Sequence, residues 1–209
     1  MDRLQQVADF AKEQKIRVID TGRAGVHIHM NMQEKTLEQV YTFICAYLIF
    51  ERQLVDYCGE HRTGNLFCLR VTDAEYFIDN VVDSLRTDDF RRMCNNEVRY
   101  ASLNTNSLSM YGSLEFRAMR STIDPELLSE WLDILYRVHD WAMQYDNPIE
   151  LVENFSIDGP AAVYDEVFGH KSSVAFDEDA MMEGIRQAQI IAYSRTDWDL
   201  DIRKKFLAK

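Results

Sequence analysis

The stretch from Thr36 to Gly59 constrains this chain most. Leu37, Val40, Tyr41, Ile44, Tyr47 and Leu48 recur there at helical spacing. Thr36 and Gln39 fit a capping box, in which each side chain satisfies the other residue's free backbone N–H. Gly59 supplies the stop. A second long helix opens at Asp124-Pro125, since aspartate is a good N-cap and proline is favoured at the first helical position. Its buried stripe is Leu128, Trp131, Leu132, Leu135, Val138 and Trp141 or Ala142, and Asn147-Pro148 ends it.

The remaining pattern is mixed. Residues 3–15 carry Leu4, Val7, Ala8 and Ala11 on one helical face. Residues 16–20 are β-branched and predict a short strand, and residues 26–32 alternate as a second one. Residues 66–71 fit a short extended or helical piece, and residues 74–85 a peripheral helix. Residues 97–104 and 113–119 predict two further strands, joined as a hairpin or longer antiparallel connection through the polar stretch 105–112. Residues 149–155, 160–168 and 179–193 predict helices. The fold class expected is therefore α+β: an antiparallel sheet flanked by helices, with a helical C-terminal third. We divide the chain into an α+β region, residues 1–155, and a helical C-terminal extension, residues 156–209, packed on the same domain. The weakest joint is Ser156-Ile157-Asp158-Gly159-Pro160.

Composition excludes several classes of function. The 209 residues suit one domain, and 46% hydrophobic with 28% charged residues is a globular balance. No apolar run reaches the length of a membrane span, and the N-terminus lacks a signal-peptide core. A net charge of −12 repels phosphate backbones and anionic lipids, so neither nucleic acid nor membrane is expected as a partner. Cys45, Cys58, Cys68 and Cys94 form no CxxC pair and read as reduced thiols of a cytoplasmic protein.

Several short motifs can carry chemistry. In Gly25-Val26-His27-Ile28-His29-Met30, a strand puts His27 and His29 on one face, about 6.6–7 Å apart. They can converge on a metal, line a polar cavity, or simply hydrogen-bond on an exposed sheet. In Gly112-Ser113-Leu114-Glu115-Phe116-Arg117, Glu115 and Arg117 share a face opposite Leu114 and Phe116. That pair suits a surface ion pair, which adds little stability. It also suits a site, with glutamate on a hard cation and arginine gripping a carboxylate or phosphate in a fork. Arg99 or Asn104, on the preceding strand, can reach the same face. Arg62 and Asn65 follow the long helix, and Arg120 follows the Glu115 strand.

Taken in order, the GxHxH strand, the long helix, the RxxN loop, the R-Y-x-x-x-N strand and the G-S-L-E-F-R strand resemble the amidoligase family. These are carboxylate–amine ligases distantly similar to glutamine synthetase and glutamate–cysteine ligase, often encoded by phages and bacteria. The resemblance spans roughly residues 4–122. It implies a glutamine-synthetase-like antiparallel sheet whose concave face holds divalent metal, ATP and the acid. It casts His27, His29 and Glu115 as metal ligands for magnesium or manganese. Arg117 and Arg99 become catalytic contacts to the acyl-phosphate, and Arg62, Asn65, Arg99, Arg117 and Arg120 contacts to substrate or ATP. The substrates implied are a small-molecule or peptide acid and an amine.

Family members also begin with a G-x-E-x-E strand whose glutamates bind metal, and no E-x-E strand is visible here. Three readings follow. One is a split or assembled ligase, completed by a protein partner or a second copy. Another is a catalytically inactive relative acting as a structural or interaction protein. The last is a site rebuilt with other residues. A separate class of function is an iron enzyme built on His27, His29 and Glu115 as two histidines and one carboxylate.

Overall fold

A computed structural model describes residues 2–19, 21–74 and 76–198. The elements in chain order are α1 (Asp2–Glu13), β1 (Ile28–Asn31), α2 (Leu37–Tyr57), α3 (Phe77–Arg86), β2 (Leu103–Asn104), α4 (Asn106–Tyr111), β3 (Ser113–Phe116), α5 (Pro125–Ala142), α6 (Pro148–Asp158), α7 (Pro160–Phe168) and α8 (Glu178–Ala192). The class is α+β, with a small antiparallel sheet and a helical C-terminal region.

Helix α2 is the axis of the molecule. Both hydrogen bonds of the Thr36–Gln39 capping box are present, and every residue from Val40 to Glu51 is buried. A helix that is apolar nearly all round needs neighbours on every side. Helix α8 packs along it, so closely that a Cβ at Gly184 would strike the Leu48 carbonyl. Helix α5 starts at the Asp124 cap, whose side chain accepts from the N–H groups of Glu126 and Leu127. One apolar cluster runs from Met32 to Trp198, so both halves of the chain share a core. No helix among the described residues is long and apolar enough to cross a membrane. All four cysteines are free.

The sheet has three strands in the order β1-β3-β2, all antiparallel. Leu114 and Phe116 of the central strand point into the core, where the Phe116 ring meets Phe43 at 5.9 Å and Tyr47 at 5.5 Å. The alternate residues Ser113 and Glu115 therefore lie on the opposite face.

Several elements differ from the sequence expectation, each for a physical reason. Residues 16–19 form no strand, and Ile16, Val18 and Ile19 stand exposed with no partner strand among the described residues; Asp20 lies outside them. In α1 the expected stripe is broken, because Val7 is exposed. The strand expected over 97–104 shrinks to two residues. Its first part is a 3₁₀ turn, Asn96–Val98, started by the Asn95 side chain accepting from the Glu97 N–H. The connection over 105–112 is helix α4, closed by Gly112 in the left-handed region.

Candidate functional site

The open sheet face gathers four of the expected site residues around one carboxylate. Register places His29 of β1 and Asn104 of β2 directly opposite Glu115 of β3. Glu115 Oε1 lies 2.8 Å from Arg117 Nη1, 2.8 Å from His27 Nδ1 and 4.0 Å from His29 Nε2. Its other oxygen, Oε2, accepts from Asn104 Nδ2 at 2.5 Å. Arg117 Nη1 also lies 3.3 Å from His27 Nδ1. Glu115 is buried despite facing outward, because these neighbours cover it. Burial first, and the Arg117 charge second, hold His27 below the usual histidine range against the opposing pull of Glu115. At neutral pH the ring is uncharged, and the contact to Glu115 favours the proton on Nδ1, which leaves Nε2 with a free lone pair.

Arg117 is held at both ends. Its N–H donates to the Ser102 carbonyl at 2.8 Å, and its carbonyl accepts from Arg62 Nη2 at 2.8 Å. Its Nε is buried and finds no partner among the described residues. Beyond it the Tyr100 ring lies 6.0 Å from the Arg117 guanidinium carbon and 4.6 Å from that of Arg99. Arg99 thus stands at the rim, donating to the Tyr100 hydroxyl at 3.0 Å.

Three expected contacts to ligand are engaged elsewhere. Arg62 is almost wholly buried and donates to three backbone carbonyls: Ala118 at 2.7 Å, Ala24 at 3.1 Å and Arg117 at 2.8 Å. This explains the glycine of the GxHxH motif, since a Cβ at Gly25 would meet Arg62 Nη2 at 2.8 Å and the Met119 carbonyl at 2.9 Å. Arg120 donates to the Cys58 carbonyl at 3.2 Å and so caps the end of α2. Asn65 Nδ2 donates to the carbonyls of Gly22 at 2.5 Å and His61 at 2.9 Å, closing the loop after α2. These three residues frame the site and do not line it.

Sequence reasoning did not single out Tyr100 or Ser113. Ser113 Oγ lies 3.0 Å from His29 Nδ1 and fixes that ring. The strand period could have found Ser113, which lies two residues before Glu115 on the same face.

Both oxygens of Glu115 are taken by N–H donors, and the Arg117 cation sits on the oxygen nearest the histidines. Among the described residues, no three His, Cys, Asp or Glu side chains form a group that could hold a metal ion. As placed, His27, His29 and Glu115 do not fit a resident divalent cation, neither magnesium nor the iron of a two-histidine, one-carboxylate centre.

The fold and face define an α+β protein with an arginine–glutamate–histidine cluster on an antiparallel sheet. The family model described as "Putative amidoligase enzyme" matches residues 1–138, which include every residue of that cluster. The chain belongs to this family, and the membership is consistent with a ligase. No curated protein and no solved structure matches it significantly.

Proposed function

We propose that this chain is a cytoplasmic, ATP-dependent carboxylate–amine ligase of glutamine-synthetase-like design, working through an acyl-phosphate. The observation that carries the reading is the fixed Arg117 guanidinium on an accessible sheet face, inside the region the family model covers. A carboxylate is a poor acyl donor. Transfer of the γ-phosphoryl group from ATP releases ADP and turns one carboxylate oxygen into part of a leaving group. The amine then attacks the carbonyl carbon, phosphate departs, and the amine nitrogen loses a proton.

The chain's own residues suit these needs. Arg117 supplies a preorganised cation for the carboxylate and then for the charge that develops on the transferring phosphoryl group. Glu115 and Asn104 hold that guanidinium system in place. Neutral His27 offers Nε2 for the proton the amine gives up. Arg99 extends the positive rim. The donor set assigns no resident metal, so magnesium would arrive as part of the MgATP substrate.

Further carboxylates would come from a protein partner or a second copy. The alternation of β1 leaves the backbone groups of His27, His29 and Asn31 on its outer edge, where a strand can add. The second reading, an inactive relative acting in protein interaction, is favoured by one observation: both oxygens of Glu115 are already engaged.

The test is isotope transfer. The chain is incubated with MgATP, an amine mixture and a panel of ¹⁸O-carboxylate amino acids and short peptides. The ligase reading expects one ¹⁸O atom to appear in inorganic phosphate together with a new amide. Arg117→Lys should lower the rate by about a hundredfold, because an ammonium cannot reproduce the bidentate fork. No transfer from any acid would leave the inactive relative as the better account.

A further inference from the structure

The sheet face does not end at the cluster. Beyond His29 it opens into a shallow, solvent-open cavity of about 380 Å³ lined by His29, Asn31, Gln33, Tyr111 and Ser113. That is the low end of the range for small-molecule sites, roughly 300–1,000 Å³. No arginine, lysine or carboxylate lines it. Its tyrosine wall, Tyr111, is exposed, yet its backbone and its ring are each held by a neighbour. Gln33 Nε2 donates to the Tyr111 carbonyl at 3.1 Å, and the His29 ring meets the Tyr111 ring edge-on at 5.8 Å. Gln33 can lie there because residue 112 is glycine; a Cβ would come within 2.5 Å of Gln33 Cγ. The Asn31 side-chain oxygen accepts from the Gln33 N–H at 3.0 Å. The Asn31 amide nitrogen and the Gln33 amide oxygen have no hydrogen-bond partner among the described residues.

We propose that this cavity is the amine-acceptor subsite, and that it takes a primary amine carried on a short arm from an uncharged planar group. The proposal rests on the ligase reading for the word acceptor, but the cavity's chemistry stands apart from it. A phosphate or carboxylate finds no cation among these lining residues. A polyamine finds no carboxylate for its several ammonium groups, whereas a lone amine needs only one polar neighbour, which His29 or an amide oxygen offers. A planar ring or amide finds an aromatic wall and two amide groups. With the ring against Tyr111, a one- or two-carbon arm sets the amine beside the His29 ring, which lies 5.8 Å from the Tyr111 ring and on the edge of the Glu115 cluster.

The probe is benzylamine, with spermidine as the comparison. Affinity is measured by ligand-observed NMR on the full chain at 150 mM salt, about physiological strength, which screens the acidic surface. Benzylamine should bind wild type, and Tyr111→Ala should weaken it by about fivefold or more, the scale of one aromatic pair. Tyr111→Phe should restore wild-type affinity. Tyr111 is exposed, so its truncation leaves the core intact. Spermidine affinity should not respond to Tyr111. Benzylamine affinity unchanged in Tyr111→Ala would overturn the proposal, as would an equal loss for spermidine. The readout needs no turnover, so an inactive chain that binds benzylamine through Tyr111 defeats only the ligase reading. Amide formation on benzylamine that ignores Tyr111 defeats only the subsite.

Discussion

Arg62→Ala is expected to cost about 4 kcal/mol or more of folding stability, a large share of the roughly 5–15 kcal/mol a domain has. The guanidinium donates to the carbonyls of Ala24, Arg117 and Ala118, and it does so while almost wholly buried. Alanine leaves three acceptors unpaired, that of Ala118 buried and those of Ala24 and Arg117 partly so, and a void between two loops. The penalty for an orphaned acceptor is about 1–3 kcal/mol each, and partial relaxation keeps the sum below the upper bound. Arg62→Lys should recover only part, because one ammonium cannot span three carbonyls presented to Nε, Nη1 and Nη2. Urea unfolding of the three proteins measures this. A loss under about 1 kcal/mol in Arg62→Ala would show that water replaces the guanidinium at no great cost. The consequence for function is direct, since one of those carbonyls belongs to Arg117.

Glu51→Gln should change how stability responds to pH. Glu51 is buried in α2, accepts from the Val71 N–H at 2.6 Å and from the Ser102 hydroxyl, and Ser102 in turn accepts from the Tyr47 hydroxyl. Burial dominates and raises its pKa from 4.5 to about 7, although both hydrogen bonds pull the other way. The folded state therefore holds this proton where the unfolded chain has released it. Stability from this group is present in full below the unfolded value of 4.5 and is lost as pH rises through about 7. The difference amounts to about 3 kcal/mol. Glutamine keeps the shape and carries no titration. Between pH 4.5 and 8, about the span of that titration, the stability of Glu51→Gln relative to wild type should therefore rise by about 3 kcal/mol. Denaturation midpoints at the two pH values read the change. Parallel behaviour of the two proteins would place the Glu51 titration outside this window.

The sequence carried some of this structure plainly. The Thr36 capping box and the Asp124-Pro125 start are local signals, and local hydrogen bonds realise both. The period of two also separated Glu115 and Arg117 from Leu114 and Phe116, and the register then set His29 against Glu115. What was not legible depends on approach between distant segments. The resemblance casts Arg62 as a contact to substrate or ATP, and only the approach of the loops at residues 24 and 117–118 engages its guanidinium elsewhere. Residues 16–19 have strand composition, but composition cannot provide a partner strand. The 105–112 connection carries polar residues that suit a loop, and it folds as α4 because Gly112 offers a left-handed stop. The engagement of both Glu115 oxygens was equally hidden, since it needs Asn104 on one side and Arg117 on the other.

The proposed function requires the Arg117–Glu115 face to receive a nucleotide. Calorimetric titration of MgATP into wild type, Arg117→Gln and Glu115→Gln measures this. Saturable one-to-one binding, weakened by about tenfold or more in each variant, is the predicted result, since each substitution removes one side of a charge-assisted contact. Absent binding in wild type, or equal binding in all three proteins, would contradict it.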